Sequence, residues 1–308
     1  MSLPMSLAGQ RLVVFGCGYV GRSLAQVALS AGAQVTALTR NQGAAADLRL
    51  MGIDVVVADL AKTEWHRSIG GSVDFVVNCV SSGGRTVEAY RHSYVDGMRS
   101  VLAWLREREA PVKTFVYTSS TSVYPQGEGV VVTEEAPVGE ESGNGRIIFE
   151  SENLLRGTPV TVVRRSFVLR LAGIYGPGRH YLLNQLRAGA KPMIGNVEHR
   201  MNLVHRDDIV SAIMTCLRAP DSVGSSVFNV SDGSPVPKRE IVRWLATQLG
   251  VPVPEASPSK GDGRAGGSPV PNRIISSGKF QQELSWRPRF PDYRAGYADI
   301  FRAEGTRF

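Results

Sequence analysis

Three glycines near the amino terminus have the spacing of a turn that binds phosphate groups. Gly16, Gly18 and Gly21 form a G-x-G-x-x-G pattern that follows a short apolar run and opens a helical pattern. The first glycine permits a tight turn, the second lets the backbone approach a pyrophosphate, and the third lets helix and strand pack closely. The helix amino terminus at Tyr19 and Val20 offers N–H groups and a positive dipole end. The pattern predicts a dinucleotide site; the alternative is a tight turn that merely needs glycines.

The residues at the end of the predicted second strand bear on which dinucleotide binds. A site specific for NAD places Asp or Glu there, about 20 residues beyond the glycines, to bind the ribose 2′-hydroxyl. This chain has Thr39 and Arg40 instead. A cation beside a hydroxyl suits a 2′-phosphate and gives a free ribose diol no acceptor. We therefore predict that NADP is preferred over NAD; the alternative is that Arg40 simply faces solvent.

Strands and helices must alternate to hold such a turn. Apolar runs predict strands at 11–15, 34–39, 53–58, 75–80 and 114–118, and helical spacing predicts helices at 19–31, 44–51 and 91–109. Near-continuous apolar strands joined by helical crossovers indicate a parallel sheet covered on both faces. The first half is thus predicted to be a doubly wound α/β (Rossmann) domain.

The second half has a less regular pattern. We predict strands at 160–171 and 227–230, a helix at 207–218 and a helix started by proline at 234–249. Two segments rich in Gly, Pro, Ser or Glu, 125–145 and 252–271, have the composition of long loops.

Composition excludes several classes of protein. The chain has 308 residues, 43 % hydrophobic and 20 % charged, which is typical of a folded protein with a large core and not of a disordered one. The net charge of +7 comes from basic residues spread along the chain, so we predict no nucleic-acid partner. The sequence lacks a signal-peptide pattern and a long apolar run, so we expect a cytoplasmic protein that does not bind membranes.

Several motifs in a fixed order give the chain a family resemblance. Besides the glycine turn they are Asp59-Leu60, Ser119-Ser120-Thr121-Ser122-Val123-Tyr124, Tyr175-Gly176-Pro177-Gly178, Val204-His205-Arg206-Asp207-Asp208-Ile209, Phe228-Asn229-Val230 and Trp286-Arg287-Pro288. With these motifs the chain resembles the NAD-dependent epimerase/dehydratase family, the extended branch of the short-chain dehydrogenases/reductases. The resemblance spans nearly the whole chain.

The resemblance implies a cofactor domain and a smaller carboxy-terminal substrate domain, with the active site in a cleft between them. We expect residues 1–174 and 203–232 in the first domain and 175–202 and 233–308 in the second. Asp59 and Leu60 would contact the adenine, although Asp59 could instead cap a turn. Val80, Ser81 and Ser119 would line the cofactor.

The resemblance also supplies candidate catalytic residues. Ser120 stands where the family has its catalytic Ser or Thr, with Thr121 and Ser122 as close alternatives, and Tyr124 could donate a proton. The competing interpretation is that these hydroxyls cap the strand end or bind the cofactor.

The main departure from the family is the missing Tyr-x-x-x-Lys pair. One helical turn normally places the Lys near the Tyr and lowers the pKa of the phenol. The corresponding places fall on Asn144 and Ile148, and Tyr94 replaces the family's supporting Asn. The chain is therefore an atypical member for which the usual mechanism does not carry over.

The polar residues that the resemblance places toward the substrate are Tyr175, Arg179, Arg200 and Asn202. The two arginines could pair with an anionic small molecule such as a nucleotide diphosphate sugar, or they could be solvated surface residues. His205 more plausibly braces the domain junction than acts as a base. Dimerisation through two long helices is a further expectation from the resemblance.

The three cysteines and five histidines lack zinc-ligand spacing, so no metal is predicted. Cys17 and Cys79 end neighbouring strands, which allows either redox sensing or two inert buried thiols. Two functions stay open. One is an NAD(P)-linked reductase, epimerase or dehydratase acting on a small polar substrate, and the other is a non-catalytic NADP-binding redox sensor or regulator.

Overall fold

The computed structural model describes residues 6–139, 143–189, 193–194, 196–257 and 271–305. Its strands, in chain order, are β1 Arg11–Phe15, β2 Gln34–Thr39, β3 Asp54–Val57, β4 Phe75–Asn78, β5 Val112–Ser120, β6 Val131–Val132, β7 Val163–Leu171, β8 Gly173–Tyr175, β9 Met193–Ile194, β10 Arg200–Met201, β11 Leu203–His205, β12 Ser226–Val230, β13 Val236–Pro237, β14 Ala256–Ser257 and β15 Ile274–Ile275. Its helices are α1 Tyr19–Ser30, α2 Gln42–Leu50, α3 Val87–Tyr90, α4 Gly97–Arg106, α5 Asn144–Arg156, α6 Tyr181–Arg187, α7 Arg206–Leu217, α8 Lys238–Leu249, α9 Gly278–Leu284 and α10 Tyr293–Ala303.

A seven-stranded sheet with the order β12-β7-β5-β4-β1-β2-β3 forms the centre of the fold. β1 pairs in parallel with β2 on one side and with β4 on the other, so that Leu12 lies opposite both Val35 and Phe75. The strand order reverses between β1 and β4, which is the switch point where α/β sheets bind ligands. The predicted doubly wound Rossmann fold is confirmed.

The central strands are held by an apolar core. Residues 12–15 of β1 are at most 2 % exposed. The Phe15 ring packs edge-on against Trp65 and Trp104, with ring centroids 5.1 and 5.8 Å apart. Aromatic side chains bury large apolar areas, so this cluster fixes the helical segments over the strands that carry the glycine turn.

The helix predicted at 91–109 begins earlier and is irregular. α3 starts at Val87, where the Thr86 hydroxyl accepts the Ala89 N–H at 3.2 Å as an N-cap. It continues as a π-helical turn, Arg91–Asp96, and then as α4. Single π turns inside α-helices are frequent at functional sites.

The chain divides into two compact units. The first comprises residues 1–123, 138–170 and 209–228, and the second comprises 124–137, 171–208 and 229–308. The domain boundaries proposed from the sequence differ, because they assign 124–137, 171–174, 203–208 and 229–232 to the first domain. The second unit has its own apolar core, in which α6, α8 and α10 contribute Leu183, Ile241 and Ile300.

Two predicted segments need correction. The expected loop 125–145 contains β6, which pairs in parallel with β15, and it also includes the first two residues of α5. The helix expected at 234–249 begins at Lys238, because Val236 and Pro237 pair with β10 instead. Both short strands depend on partners distant in sequence. Of the other predicted loop, residues 258–270 lie outside the described residues, and Ala256–Ser257 forms β14.

Within the described ranges, none of the helices has the length and apolar character needed to cross a membrane.

Candidate functional site

The glycine turn connects β1 to α1 at the switch point of the sheet. Gly16 has φ +80°, and a Cβ there would lie 2.6 Å from the Val80 nitrogen. A Cβ at Gly21 would lie 2.4 Å from the Gly16 carbonyl oxygen. Gly18 differs, because nothing lies within 4 Å of its Cβ position. Two glycines are thus required by the turn itself, whereas the third leaves open space where a ligand can approach the backbone.

The amino terminus of α1 fits a pyrophosphate electrostatically. The helix starts at Tyr19 directly after the turn, and its first turn contains no acidic residue. The Gly18 N–H donates to the Gly16 carbonyl at 2.8 Å, and the Gly16 N–H donates to the Leu38 carbonyl at 3.1 Å. These bonds fix the turn to β2, and the positive end of the helix dipole is not offset by a carboxylate of the first turn.

The two residues predicted to recognise the ribose have different surroundings. Thr39 is buried, and its hydroxyl accepts the Asn41 N–H at 3.2 Å. Arg40 is exposed and makes no hydrogen bond or ion pair to the described residues. Its guanidinium lies against Gly83, where a Cβ would be only 2.6 Å from Nη2. Arg40 is therefore available to an anionic ligand.

Asp59 and Leu60 follow β3. Asp59 is partly exposed, whereas Leu60 lies in the core. Asp59 Oδ2 accepts a hydrogen bond from His92 Nε2 at 2.8 Å, and Oδ1 accepts the Ala61 N–H at 3.0 Å. Partial burial raises the pKa of Asp59, but the bonds from His92 and Ala61, with the charges of His92 and Arg40, lower it overall. Leu60 is buried and packs into the core. The turn-capping alternative for Asp59 is thus present, and the adenine contact stays a prediction.

The π-helical turn holds the loop that follows β4. The Gly83 N–H donates to the Ser93 hydroxyl at 3.4 Å, and the Tyr94 hydroxyl accepts the Ser82 N–H. Burial raises the pKa of Tyr94. Val80 and Ser81, the predicted cofactor-lining residues, begin this loop, and the Val80 N–H donates to Asn78 Oδ1 at 3.0 Å.

The serines at the end of β5 have contrasting environments. The Ser119 hydroxyl donates to Glu152 Oε1 at 2.5 Å inside the protein, and its contact with a cofactor stays a prediction. Glu152 also pairs with Arg170 at 2.7 Å, and both side chains are buried. Ser120 Oγ accepts the Ser122 N–H at 3.1 Å, and its hydroxyl hydrogen has no acceptor among the described residues. Ser120 is the serine here that can donate to a ligand.

The places of the missing Tyr and Lys lie on α5. Asn144 begins the helix, and Ile148 is 3 % exposed. The Ile148 carbonyl accepts the Ser151 hydroxyl at 2.7 Å, and Ser151 in turn lies 2.6 Å from the Tyr117 hydroxyl. Burial raises the pKa of Tyr117 well above its ordinary value, so this phenol stays protonated. Residues 144 and 148 thus contribute no titratable group.

Among the other candidate catalytic residues, Thr121 is buried in the first unit. Tyr124 belongs to the second unit, where it is 1 % exposed and donates its hydroxyl to Asn229 Oδ1 at 2.8 Å. The Tyr124 carbonyl accepts a hydrogen bond from the Arg273 guanidinium. The Tyr124 phenol is thus buried and bonded to Asn229, and its role as a proton donor stays a prediction.

The expected substrate residues Arg179, Arg200 and Asn202 lie in the second unit and have different surroundings. Arg179 is exposed, and Arg200 donates to the Pro235 carbonyl at 3.3 Å. The Asn202 amide donates to the Arg273 carbonyl at 2.9 Å and accepts the Ile275 N–H at 2.7 Å. Asn202 thus fixes a neighbouring segment of its own unit.

Tyr175 is a buried core residue of the second unit, and its contact with a substrate stays a prediction. A Cβ at Gly296 would lie 1.9 Å from its hydroxyl oxygen, and burial raises the pKa of the phenol. The nearby carboxyls of Asp208 and Asp232 are buried, which raises their pKa values to about 6 and about 7. Buried His205 packs against Tyr175 at 5.3 Å between ring centroids, and burial lowers its pKa.

The cysteines are buried or partly buried free thiols. Burial, together with the neighbouring Cys79, raises the pKa of Cys17 to about 12, and burial raises the pKa of Cys79 to about 12. Such thiols carry little thiolate, so the inert alternative is favoured over redox sensing. Among the described residues, no group of three or more His, Cys, Asp or Glu side chains could hold a metal ion.

Two residues of this site were not found from the sequence. Gly83 is shown by its contact with Arg40, and the only available signal was the turn-forming Gly83-Gly84 pair. His92 lies in a segment with a plain helical pattern, and its partner Asp59 is 33 residues away. Its position depends on the π-helical turn, which has no sequence signature.

Comparison with known proteins agrees with this geometry. The sequence model of the NAD dependent epimerase/dehydratase family matches residues 12–231, more than half of the chain. The chain belongs to this family, which confirms the resemblance seen in its motifs.

Two curated relatives and one solved structure illustrate the likeness. Protein YeeZ of Escherichia coli (strain K12) is 27 % identical over 289 residues, which cover 92 % of this chain and 97 % of the relative. The 2-alkyl-3-oxoalkanoate reductase of Stenotrophomonas maltophilia (strain K279a) is 26 % identical, with 78 % and 76 % covered. The structure of MoeE5 in complex with UDP-glucose and NAD has a TM-score of 0.80 and 22 % identity, with 96 % and 99 % covered, and shares the fold.

Proposed function

We propose that this protein is an NADP-dependent oxidoreductase that acts on a hydroxyl or carbonyl group of a small polar substrate. The observation that carries the proposal is the combination of the open Cβ position at Gly18 with the unpaired guanidinium of Arg40. The first fits a pyrophosphate against the backbone, and the second fits a phosphate on the ribose. Family membership and the names of the relatives support the enzyme class.

The preference for NADP rests on what surrounds the end of β2. A carboxylate at position 39 or 40 would repel a 2′-phosphate, whereas this chain has Thr39 and Arg40 there. The absence of a side chain at Gly83 leaves the guanidinium room beside the loop after β4. A planar guanidinium can bind two phosphate oxygens at once, so the 2′-phosphate is the group that best matches this position.

The proposed chemistry depends on the cofactor and on Ser120. A bound nicotinamide dinucleotide supplies hydride transfer, which needs orientation more than side-chain chemistry. The Ser120 oxygen accepts the Ser122 N–H, and the hydroxyl hydrogen has no acceptor among the described residues. This hydrogen can therefore be donated to a substrate oxygen. Without the Tyr-Lys pair, loss of general acid help would slow turnover by about 10² to 10⁴-fold.

The proposed substrates belong to two chemical classes. The relative from Stenotrophomonas is an oxoalkanoate reductase, and MoeE5 was solved with UDP-glucose. The exposed Arg179 could pair with a carboxylate or a phosphate. We therefore include both 3-oxo acids and nucleotide sugars among the substrates to be screened.

One observation favours a second candidate, a non-catalytic NADP-binding regulator. Asn144 and Ile148 provide no proton donor on α5, and the Tyr124 phenol is bonded to Asn229. A regulator needs the dinucleotide site but none of these groups.

The experiment is a fluorescence titration with NADPH and NADH at matched ionic strength. We expect tighter binding of NADPH, and loss of this preference in Arg40→Gln. Arg106→Gln changes an exposed arginine at the last residue of α4 and should leave both affinities unchanged. Tighter binding of NADH than of NADPH would contradict the proposal. Turnover in the subsequent screen would distinguish the enzyme from the regulator.

A further inference from the structure

The loop after β4, residues 79–86, contacts the glycine turn near its start and Arg40 in its middle. A Cβ at Gly16 would lie 2.6 Å from the Val80 nitrogen, so the start of the loop lies against the turn. A Cβ at Gly83 would lie 2.6, 3.1 and 3.3 Å from Nη2, Nη1 and Cζ of Arg40. The guanidinium group therefore packs against the unsubstituted α-carbon of Gly83.

The contact between Arg40 and Gly83 crosses one strand of the sheet. Arg40 follows β2 and Gly83 follows β4, and β1 lies between these two strands. Since neighbouring strands are about 4.8 Å apart, the ends of β2 and β4 are separated by roughly 10 Å, which the arginine side chain and the loop bridge together. The glycine turn begins at the end of β1, so the guanidinium is held beside the turn that fits a pyrophosphate.

Hydrogen bonds within the first unit fix the loop that carries Gly83. The Gly83 N–H donates to the hydroxyl of Ser93, which is 7 % exposed, at 3.4 Å. The Ser82 hydroxyl donates to the Gly84 carbonyl at 2.6 Å and accepts the Gly84 N–H at 3.2 Å. Neither glycine has a positive φ, so the backbone of the loop does not require glycine at position 83. The contact with Arg40 is what leaves no room for a side chain there.

This contact holds the charge of Arg40 in place before a ligand arrives. Arg40 is exposed and makes no hydrogen bond or ion pair to the described residues, so its N–H groups stay free for phosphate oxygens. An arginine side chain loses much rotamer entropy when it is fixed by a ligand, and packing against Gly83 reduces that loss. A methyl group at position 83 would take the space beside Nη2 and turn the guanidinium away.

We propose that Gly83 is a positioning residue for Arg40, and that its unsubstituted α-carbon helps set the preference of the site for a ribose 2′-phosphate. The inference rests on the proposed NADP function and deepens it by adding a residue from a different element. Its consequence is that a side chain at position 83 lowers the preference for NADPH through Arg40, without weakening the rest of the dinucleotide site.

The test measures dissociation constants of NADPH and NADH in wild type, Gly83→Ala, Arg40→Gln and the double variant, at matched ionic strength. We expect Gly83→Ala to lower the preference for NADPH about twofold to fivefold, the effect of displacing one exposed charge, and to leave NADH binding unchanged. In the Arg40→Gln background the same substitution should leave the preference unchanged, because the group that Gly83 positions is gone. The displaced group ends a flexible, exposed side chain, so the melting temperature of Gly83→Ala should stay near that of wild type.

Gly84→Ala is the matched control in the same loop. A Cβ at Gly84 would lie 3.2 Å from the Ala89 Cβ, and no atom of Arg40 lies within 4 Å of that position. This variant should therefore keep the wild-type preference for NADPH. A decrease in Gly84→Ala as large as that in Gly83→Ala would assign the effect to the loop and overturn the contact with Arg40 as its cause.

The remaining outcomes separate the inference from the function on which it rests. An unchanged preference in Gly83→Ala, together with a lost preference in Arg40→Gln, overturns the role of Gly83 and leaves the proposed function intact. An equal effect of Gly83→Ala with and without Arg40 does the same. Failure of the wild-type protein to bind either dinucleotide, or tighter binding of NADH, overturns both.

A measurement on the wild-type protein covers the case in which Gly83→Ala does not fold. We expect a nuclear Overhauser contact between the Gly83 α-protons and the guanidinium protons of Arg40 in the NADPH complex. Loss of this contact when NADPH binds would overturn the inference, because Gly83 then does not position Arg40 at the ligand.

Discussion

At the scale of single residues, the three glycines of the turn differ in the space around their Cβ positions. Gly16 and Gly21 occupy positions where a Cβ would come within 2.6 and 2.4 Å of backbone atoms. Gly18 has free space at its Cβ position. The same motif thus contains two positions needed for the backbone and one position, Gly18, beside open space.

Matched substitutions test this difference. Gly21→Ala should destabilise the fold by about 1–3 kcal/mol, because the added methyl group overpacks against the Gly16 carbonyl. Gly18→Ala should leave the free energy of unfolding within about 0.5 kcal/mol of wild type and weaken NADPH binding roughly tenfold or more. Urea denaturation and the NADPH titration measure the two effects. Unchanged NADPH affinity in Gly18→Ala would show that the cofactor does not approach this turn.

At the scale of elements, a buried ion pair connects α5 to β5 and β7. Glu152 is fully buried on α5, where it accepts hydrogen bonds from Ser119 at 2.5 Å and from Arg170 at 2.7 Å. A buried carboxylate is tolerated only when its oxygens are paired. The pair therefore fixes α5 against the sheet.

Removing one partner should show how strongly the three elements depend on the pair. We expect Arg170→Met to lower the free energy of unfolding by about 3–5 kcal/mol, because Glu152 is left buried and uncompensated. Arg164→Met, at an exposed position of the same strand, should change it by less than about 0.5 kcal/mol. Equal effects of the two substitutions in urea denaturation would contradict this account. The double variant Glu152→Leu with Arg170→Met should recover part of the loss.

At the scale of the whole molecule, stability is expected to decrease as the pH rises from mildly acidic to just above neutral. Burial raises the pKa of Asp232 to about 7, so the folded chain binds a proton there that the unfolded chain has already released. An acid whose folded pKa is raised destabilises the fold as the pH rises from its unfolded pKa toward its folded pKa, and the loss is complete just above the folded value. His205, with its pKa lowered by burial, acts in the opposite direction at lower pH, so the informative window is pH 6.5 to 8.

Across this window we expect a loss of about 1 kcal/mol in the free energy of unfolding, measured by urea denaturation at each pH. Asp232→Asn keeps an oxygen for the Ser234 N–H and removes the charge, so it should flatten the dependence. Asp54→Asn, at an exposed position, serves as the control and should retain the slope of wild type. A wild-type slope in Asp232→Asn would assign the effect to another group.

The distance along the chain between interacting residues explains which features of the fold and site could be predicted from the sequence. The strands around the glycine turn and the availability of Arg40 depend on neighbouring residues, and they were found from local patterns. The hydrogen bond of Tyr124 could not be predicted from local patterns, because its partner, Asn229, is 105 residues away. His92 escaped attention for the same reason, and short strands such as β6 exist only through remote pairing.

The discontinuous first unit has a consequence for synthesis of the chain. Its residues 209–228 follow a long stretch of the second unit, and they include most of β12, the edge strand beside β7. A nascent chain that has reached only Arg170 therefore lacks the final strand of its sheet, and the unpaired edge of β7 is open to association with other chains. The yield of folded protein should thus depend on how promptly the ribosome delivers β12, and a translational pause shortly before it is expected to favour aggregation.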